Sequence, residues 1–210
     1  MLHEKVVILD FGSQYTKLIA RRVRELNIYS EIYPYNKIPL IDESCKGIIL
    51  SGSPFSVLDV NSPIIDLSAI KGQVPLLGIC FGAQYLAHQY GGTVAPSKHR
   101  EYGRANLSYV NLNSKLMRGI SKNSQVWMSH GDTITSVKED HKVIASTNDV
   151  AIAAYSINNE ETYGLQFHPE VYHSKEGSVI LKNFLLNICC FSQDWTPLAF
   201  IDETVTKLVH

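Results

Sequence analysis

The run Val74-Pro75-Leu76-Leu77-Gly78-Ile79 is apolar throughout and stops at Cys80. A strand with apolar residues only at alternate positions can leave one face in water. A strand that is apolar throughout must be covered on both faces, which places it inside a parallel sheet flanked by helices. A helical stretch, Ala83 to Tyr90, follows and is stopped by Gly91-Gly92. The same alternation fills the first half. Val6 to Asp10 is a β-branched run. The segment from Gln14 to Leu26 then has Tyr15, Leu18, Ile19, Val23 and Leu26 at helical spacing. Ser30 to Tyr35 and Gly47 to Leu50 predict two more strands, the second ending at Ser51-Gly52-Ser53-Pro54.

Strands separated by crossovers imply a parallel sheet with right-handed connections. The expected fold class is therefore α/β: an open, mostly parallel central sheet with helices on both faces. The second half differs. Ala105 to Leu112, Gln125 to Ser129, Val143 to Thr147, Ala151 to Ser156 and Tyr163 to Phe167 predict short strands, a smaller antiparallel β region. Ser174 to Cys189 predicts a closing helix. The expected organisation is one domain over 1–190, with an irregular tail over 191–210 that contains Trp195-Thr196-Pro197.

Composition narrows the function. With a net charge of −1 over 210 residues, the chain lacks the basic excess of a phosphate-binding surface, so nucleic acid is not an expected partner. No stretch approaches the roughly 20 apolar residues of a membrane span, and no signal peptide is visible; the cytoplasm is the expected location. The cysteines at 45, 80, 189 and 190 form neither a disulfide framework nor a zinc pattern, and no metal is expected.

Gly78-Ile79-Cys80-Phe81-Gly82 has the form G-x-C-x-G, the cysteine version of the nucleophile elbow. A nucleophile on a tight strand-to-helix turn needs glycines two residues to either side, where side chains would collide. The following helix aims free N–H groups and a positive dipole end at the sulfur, which favours thiolate. The competing reading is a buried structural cysteine.

A thiol nucleophile works with an imidazole held by a third group. His168, in Gln166-Phe167-His168-Pro169-Glu170, follows a predicted strand. Pro169 favours an extended backbone at His168, so His168 and Glu170 can project to the same side. His130, in His130-Gly131-Asp132, is a rival base in a predicted loop, and His173 is a second rival. His3, His88, His99, His141 and His210 are read as surface or satisfied core residues. Amide hydrolysis also needs donors aimed at a developing oxyanion. The N–H of Phe81 is one candidate, and the Ser51–Pro54 turn supplies another, with Gly52 expected to supply torsions closed to other residues.

Leu50-Ser51-Gly52-Ser53-Pro54, Gly78-Ile79-Cys80-Phe81-Gly82-Ala83-Gln84 and Gln166-Phe167-His168-Pro169-Glu170 stand in the order of the three hallmark blocks of class I glutamine amidotransferases, which the chain resembles over nearly its whole length. Asp10-Phe11-Gly12-Ser13-Gln14-Tyr15, Val126-Trp127-Met128-Ser129-His130-Gly131-Asp132 and Asp194-Trp195-Thr196-Pro197 are similar to the amidotransferase domains of GMP synthetases within that family.

The resemblance implies a flavodoxin-like sheet, a triad of Cys80, His168 and Glu170, and an oxyanion hole from the N–H groups of Ser53 and Phe81. Gly52, Gln84, Ser129, Gly131 and Asp132 would lie around the bound glutamine. Family members usually carry Gly-Gly-Pro where this chain has Gly52-Ser53-Pro54, so a side chain stands in the oxyanion loop. The implied activity is hydrolysis of glutamine to glutamate and ammonia, with the ammonia passed to an ATP-dependent amination of XMP to GMP.

No cofactor is implied for this chain. ATP and Mg belong to a synthetase domain whose Ser-Gly-Gly-x-Asp-Ser loop is not found here. The expected partner is that domain in cis, or a separate synthetase subunit, in a full-length enzyme that is homodimeric in some forms. The tail favours the fused arrangement. The basic helix with Lys17, Arg21, Arg22 and Arg24 and the segment Lys98-His99-Arg100-Glu101-Tyr102-Gly103-Arg104, read as a loop, are candidate docking surfaces. The alternatives are the amidotransferase component of another synthase, and a γ-glutamyl or peptidase-type cysteine hydrolase.

Overall fold

Strands β1 (Lys5–Asp10), β2 (Tyr29–Pro34), β3 (Cys45–Leu50) and β4 (Leu76–Ile79) pair in parallel with one another and with β9 (Thr162–Leu165). The computed structural model describes residues 3–197 and leaves out the side chains at 69 and 98–101. Antiparallel pairing then carries the same sheet onward through β8 (Ala154–Ile157), β7 (His141–Thr147), β5 (Thr93–Val110) and β6 (Gln125–Ser136). The order is β2-β1-β3-β4-β9-β8-β7-β5-β6. The expected α/β class with an open sheet holds. The antiparallel region continues the parallel sheet through β9.

Helix α1 (Thr16–Arg24) and helix α3 (Gly177–Lys182, continued by a π-helical stretch over Asn183–Ile188) cover one face. There Ile19, Val23, Ile180 and Leu181 join Val6, Ile8, Ile49 and Leu77 in one apolar cluster. Helix α2 (Phe81–Gln89) covers the other face, where Phe81, Tyr85 and Leu86 pack on Val7, Leu9, Ile48 and Leu50. Adjacent strand residues thus serve opposite layers, and all of β4 is buried, as its uninterrupted apolar run required.

The antiparallel strands extend past their predicted bounds because β5 bends between two partners, β6 and β7. His130-Gly131-Asp132 therefore sits within β6, not in a loop. The backbone over 98–104 likewise belongs to β5 and not to a loop, while the side chains of Lys98, His99, Arg100 and Glu101 lie outside the described residues. Tyr15 precedes α1; its side chain caps no group of the helix, and its carbonyl accepts from the Leu18 and Ile19 N–H groups at 2.9 and 3.0 Å. Asp10 Oδ1 organises this turn by accepting from the Gly12 N–H at 2.9 Å and the Thr16 hydroxyl at 2.7 Å.

The chain passes from β3 to β4 through a long loop with a single 3-10 turn, Leu67–Ala69. The Tyr85 hydroxyl donates to the Ile65 carbonyl at 2.7 Å and accepts from the Ile65 N–H at 2.9 Å, tying this loop to α2. Part of the expected tail packs on the domain: Phe191 and Trp195 are buried, and Trp195 lies against Tyr29. The rest of the tail, 198–210 with His210, lies outside the described residues. No helix among the described residues is long and apolar enough to cross a membrane.

The basic residues of α1 are partly committed within the domain. Arg21 and Arg22 both pair with Glu25, at 3.0 and 2.8 Å, and Arg24 bonds the hydroxyl and the carbonyl of Ser30.

Gly164 of β9 lies opposite Tyr155 of β8, whose ring covers it. A Cβ at 164 would stand 2.3 Å from Tyr155 Cε1. The ring cannot retreat: Tyr155 is fully buried and its hydroxyl donates to the Ala83 carbonyl at 2.7 Å. Gly164→Ala is expected to cost about 3 kcal/mol by overpacking, read as a fall in the denaturant midpoint. A change under about 0.5 kcal/mol, the usual range of surface substitutions, would show that the ring is free to move.

Candidate active site

In an open α/β sheet, ligands bind beyond the carboxyl ends of the strands where the strand order reverses, here between β1 and β3. A cavity of 720 Å³ lies there. Gly12 to Tyr15 after β1, Gly52 to Ser56 after β3, Cys80 after β4 and His168 after β9 line it, and Ser129 to Asp132 of β6 close its side.

Cys80 joins β4 to α2 with φ 53° and ψ −107°, a conformation that a residue with a Cβ adopts only under strain. The flanking glycines make the turn possible. A Cβ on Gly78 would lie 2.6 Å from the Gly82 carbonyl carbon, and a Cβ on Gly82 would lie 2.6 Å from the Leu50 carbonyl oxygen. The two glycines thus meet each other and the neighbouring strand. The thiol donates to the Ser129 carbonyl at 3.7 Å.

His168 is buried and its Nδ1 lies 2.7 Å from Glu170 Oε1; Glu170 itself is fully buried. Burial works against a charged imidazole here. The Glu170 carboxylate, and a hydrogen bond and charge interaction with Cys80, outweigh it and hold the His168 pKa well above the ordinary value. The Tyr15 ring packs on the imidazole at a steep angle of 67°, with 5.0 Å between ring centroids.

The carbonyls of the His168–Glu170 turn are each met by a different part of the chain. Ser174 Oγ donates to the His168 carbonyl at 2.5 Å. Gly177, at the start of α3, packs so closely on the Pro169 carbonyl that a Cβ would stand 2.0 Å from its oxygen. Arg22 Nε donates to the Glu170 carbonyl at 3.0 Å. Ser174 Oγ also accepts from the Trp127 N–H at 3.0 Å, and the His168 N–H donates to the Trp127 carbonyl at 2.9 Å, so β6 braces the turn as well. Ser174→Ala strands a carbonyl and an N–H at once. It should cost about 1–3 kcal/mol, measured by chemical denaturation; no loss would mean that water replaces the hydroxyl.

The rival bases separate. His173 stacks on Trp127 at 4.6 Å between ring centroids and does not line the cavity. His130 does line it, but burial pushes its pKa down to about 4; the Asp132 backbone opposes that fall and the His168 charge adds to it. At neutral pH His130 is an uncharged wall of the cavity and a poor base.

At the oxyanion loop, Ser51 Oγ accepts from the Phe11 N–H at 3.0 Å and donates to the Gly52 carbonyl at 2.8 Å, which fixes the Gly52–Ser53 peptide. The Ser53 hydroxyl accepts from the Phe55 N–H at 3.2 Å, so this side chain folds back on its own loop. Gly52 does not use the left-handed φ expected of it. A Cβ there would make only ordinary contacts with Ser13, His168 and Cys80, at 3.4 to 3.7 Å from each. Phe81 is the first residue of α2, where N–H groups have no partner within the helix.

The sequence-predicted Cys80, His168, Gly52, Ser53, Phe81, Gln84, Ser129, Gly131 and Asp132 all border this cavity, and Glu170 supports it from behind. Sequence reasoning missed Tyr15, Arg22 and Ser174. Tyr15 was legible as an apolar helix position and as the end of the Asp10–Tyr15 stretch, and Arg22 as a candidate docking charge, with no sign that either meets the His168–Glu170 turn.

A strained cysteine elbow and a buried histidine–carboxylate pair thus stand together at the switch point of an open α/β sheet. Residues 7–188 match the family described as glutamine amidotransferase class-I, and the chain belongs to that family. It is 57% identical over 205 residues to a glutamine-hydrolysing GMP synthase of Cytophaga hutchinsonii and 55% identical over 207 residues to one of Bacteroides fragilis. These alignments cover 98% and 99% of the chain but 40% and 41% of the relatives, so the chain spans about two-fifths of their length. A solved structure from Thermoplasma acidophilum, provisionally described as one of the subunits of a GMP synthase, has a TM-score of 0.74 and 30% identity, covering 90% of this chain and 94% of its own.

Proposed function

We propose that this chain hydrolyses the side-chain amide of glutamine in the cytoplasm, as the glutaminase portion of a longer enzyme whose synthetase portion, joined in cis, uses ATP and Mg to aminate XMP to GMP. The observation that carries the hydrolytic half is the strained Cys80 elbow beside the buried His168–Glu170 pair. The similarity to GMP synthases, and the length those relatives carry beyond the matched part, support the second half.

The chemistry follows from the geometry. The Cys80 proton resides on His168, whose raised pKa holds it there, and the thiolate attacks the amide carbon. The oxyanion that forms is met by the N–H groups of Phe81 and Ser53. The imidazolium gives its proton to the departing nitrogen, the C–N bond breaks and ammonia leaves a glutamyl thioester on Cys80. His168 then takes a proton from water, the hydroxyl adds to the thioester, and glutamate departs as the thiol is restored. Glu170 offsets the imidazolium charge throughout. Gln84, Gly52, Ser129, Gly131 and Asp132 surround the rest of the substrate.

The test of the pathway combines the chain with a GMP-synthase synthetase portion, XMP, ATP, Mg and glutamine labelled with ¹⁵N in its side-chain amide. Label in the GMP formed is expected. Ammonia release without labelled GMP would assign the glutaminase to another synthase, and release of neither would remove the hydrolytic reading.

A further inference from the structure

Ser51 follows β3 directly and is fully buried. Its main chain is tied on both sides. The Ser51 N–H donates to the Leu9 carbonyl of β1 at 3.0 Å, and the Ser51 carbonyl accepts from the Gly82 N–H at 3.1 Å. Gly82 stands beside Phe81 in the first turn of α2, so this second bond ties the loop after β3 to the turn that presents the Phe81 N–H. The side chain is set as firmly. A serine hydroxyl has one proton to give. The Phe11 N–H is itself a donor, 3.0 Å away, so that proton goes to the Gly52 carbonyl at 2.8 Å.

This hydroxyl acts at the far end of the same peptide. In a trans peptide the carbonyl and the N–H point opposite ways, and no peptide among the described residues is cis. With the Gly52 oxygen drawn inward to Ser51, the Ser53 N–H is turned outward, to the cavity that Gly52 and Ser53 line. A peptide that follows a glycine is otherwise easily turned over, because glycine takes torsions closed to other residues. Turned over, it would present a carbonyl oxygen where the oxyanion forms, a repulsion in place of a donor.

We infer that Ser51 is a positioning residue of the reaction: its hydroxyl holds the Gly52 carbonyl inward, so that the Ser53 N–H stays aimed at the oxyanion. The inference rests on reading the cavity as a glutamine site. Ser51 touches no substrate and acts only through the Gly52–Ser53 peptide.

The test makes two measurements on the full chain. The first is ammonia release from glutamine. The second is alkylation of Cys80 by iodoacetamide, followed by the mass of the peptide that contains Cys80. In that reaction the sulfur displaces iodide, and no tetrahedral oxyanion forms. Ser51→Ala is expected to lower kcat by about 10- to 100-fold, less than the loss of a donor outright. KM should stay within about threefold, because the oxyanion exists only beyond the ground state. The alkylation rate should stay within about twofold, since it reports the thiolate and not the donors. Ser51→Ala also strands the buried Phe11 N–H. Where it does not fold, Ser51→Cys serves: it fills nearly the same space with a weaker donor and should show the same split. A kcat within about twofold of the parent would overturn the inference. So would an alkylation rate that falls in step with kcat, because the hydroxyl would then be holding the elbow and not the donor. A parent that is alkylated at Cys80 but releases no ammonia removes the glutamine reading, and the inference with it.

Discussion

Replacing Cys80 by alanine abolishes ammonia release from glutamine, a fall of about 10⁴-fold or more, because no other group in the cavity can form the thioester. His168 and Glu170 remain, but they can only move a proton. The same position carries an unusual expectation for stability. Glycine in place of alanine normally destabilises, by about 1 kcal/mol in regular structure. At φ 53° and ψ −107° the Cβ of residue 80 is a steric liability. Cys80→Gly should therefore be as inactive as Cys80→Ala yet unfold at higher denaturant, by about 1 kcal/mol. Stability and ammonia release measured on the two variants check both halves. Residual turnover in Cys80→Ala above a hundredth of the parent would remove Cys80 from the chemistry. An alanine variant more stable than the glycine one would show that the elbow is not strained.

The elbow was legible in the sequence because its demands are local. Two glycines, a cysteine and an apolar run specify a strand, a turn and a helix within a few residues, and Gly78 and Gly82 do meet as the pattern required. The His168-Pro169-Glu170 pair was legible for the same reason, since proline restricts the torsions that aim both side chains one way. What sequence could not show was long-range. The β5–β6 pairing extends far beyond its apolar core because the strands pair along their backbones, including at polar positions such as His130 and Asp132 that read as a loop. The contact of Arg22 with the Glu170 carbonyl spans 148 residues, and an arginine on a basic helix gives no sign of a buried acceptor. Gly52 shows a different failure. A glycine before Ser-Pro invites a torsional explanation, but here its φ is not left-handed and a Cβ would meet only ordinary contacts, so the structure gives neither a torsional nor a steric reason for it. Gln166 was legible as part of a motif, yet its partners Ile134, Ile152 and Gln84 come from three other parts of the chain.

Glu170→Gln should lower glutamine hydrolysis by about 10²- to 10⁴-fold, chiefly in kcat, with a far smaller effect on folding. The carboxylate is fully buried; its Oε1 faces His168 Nδ1, and its Oε2 has no hydrogen-bond partner among the described residues. A buried charge so sparsely solvated is offset mainly by the imidazolium it stabilises, and in return it raises the His168 pKa. A glutamine of equal shape can accept from Nδ1 but carries no charge, so the imidazolium loses its support and the His168 pKa falls. The sign of the pH effect follows. Ammonia departure needs the protonated ring, so the parent should keep its activity above about pH 6.5, the ordinary imidazole value, and lose it on the alkaline side as His168 deprotonates. In Glu170→Gln that alkaline limb moves to lower pH. Stability linkage has the same sense: the contribution of a raised imidazole pKa is complete below the ordinary value and fades as pH rises through the raised one. His168→Ala has the opposite balance. It leaves the Glu170 carboxylate buried without its counter-charge and should cost about 3–5 kcal/mol, more than Glu170→Gln costs. Profiles of kcat against pH, with denaturation of both variants, decide the matter. An alkaline limb that stays in place in Glu170→Gln would mean that Glu170 does not set the charge of His168, and that the pair is held together by shape alone.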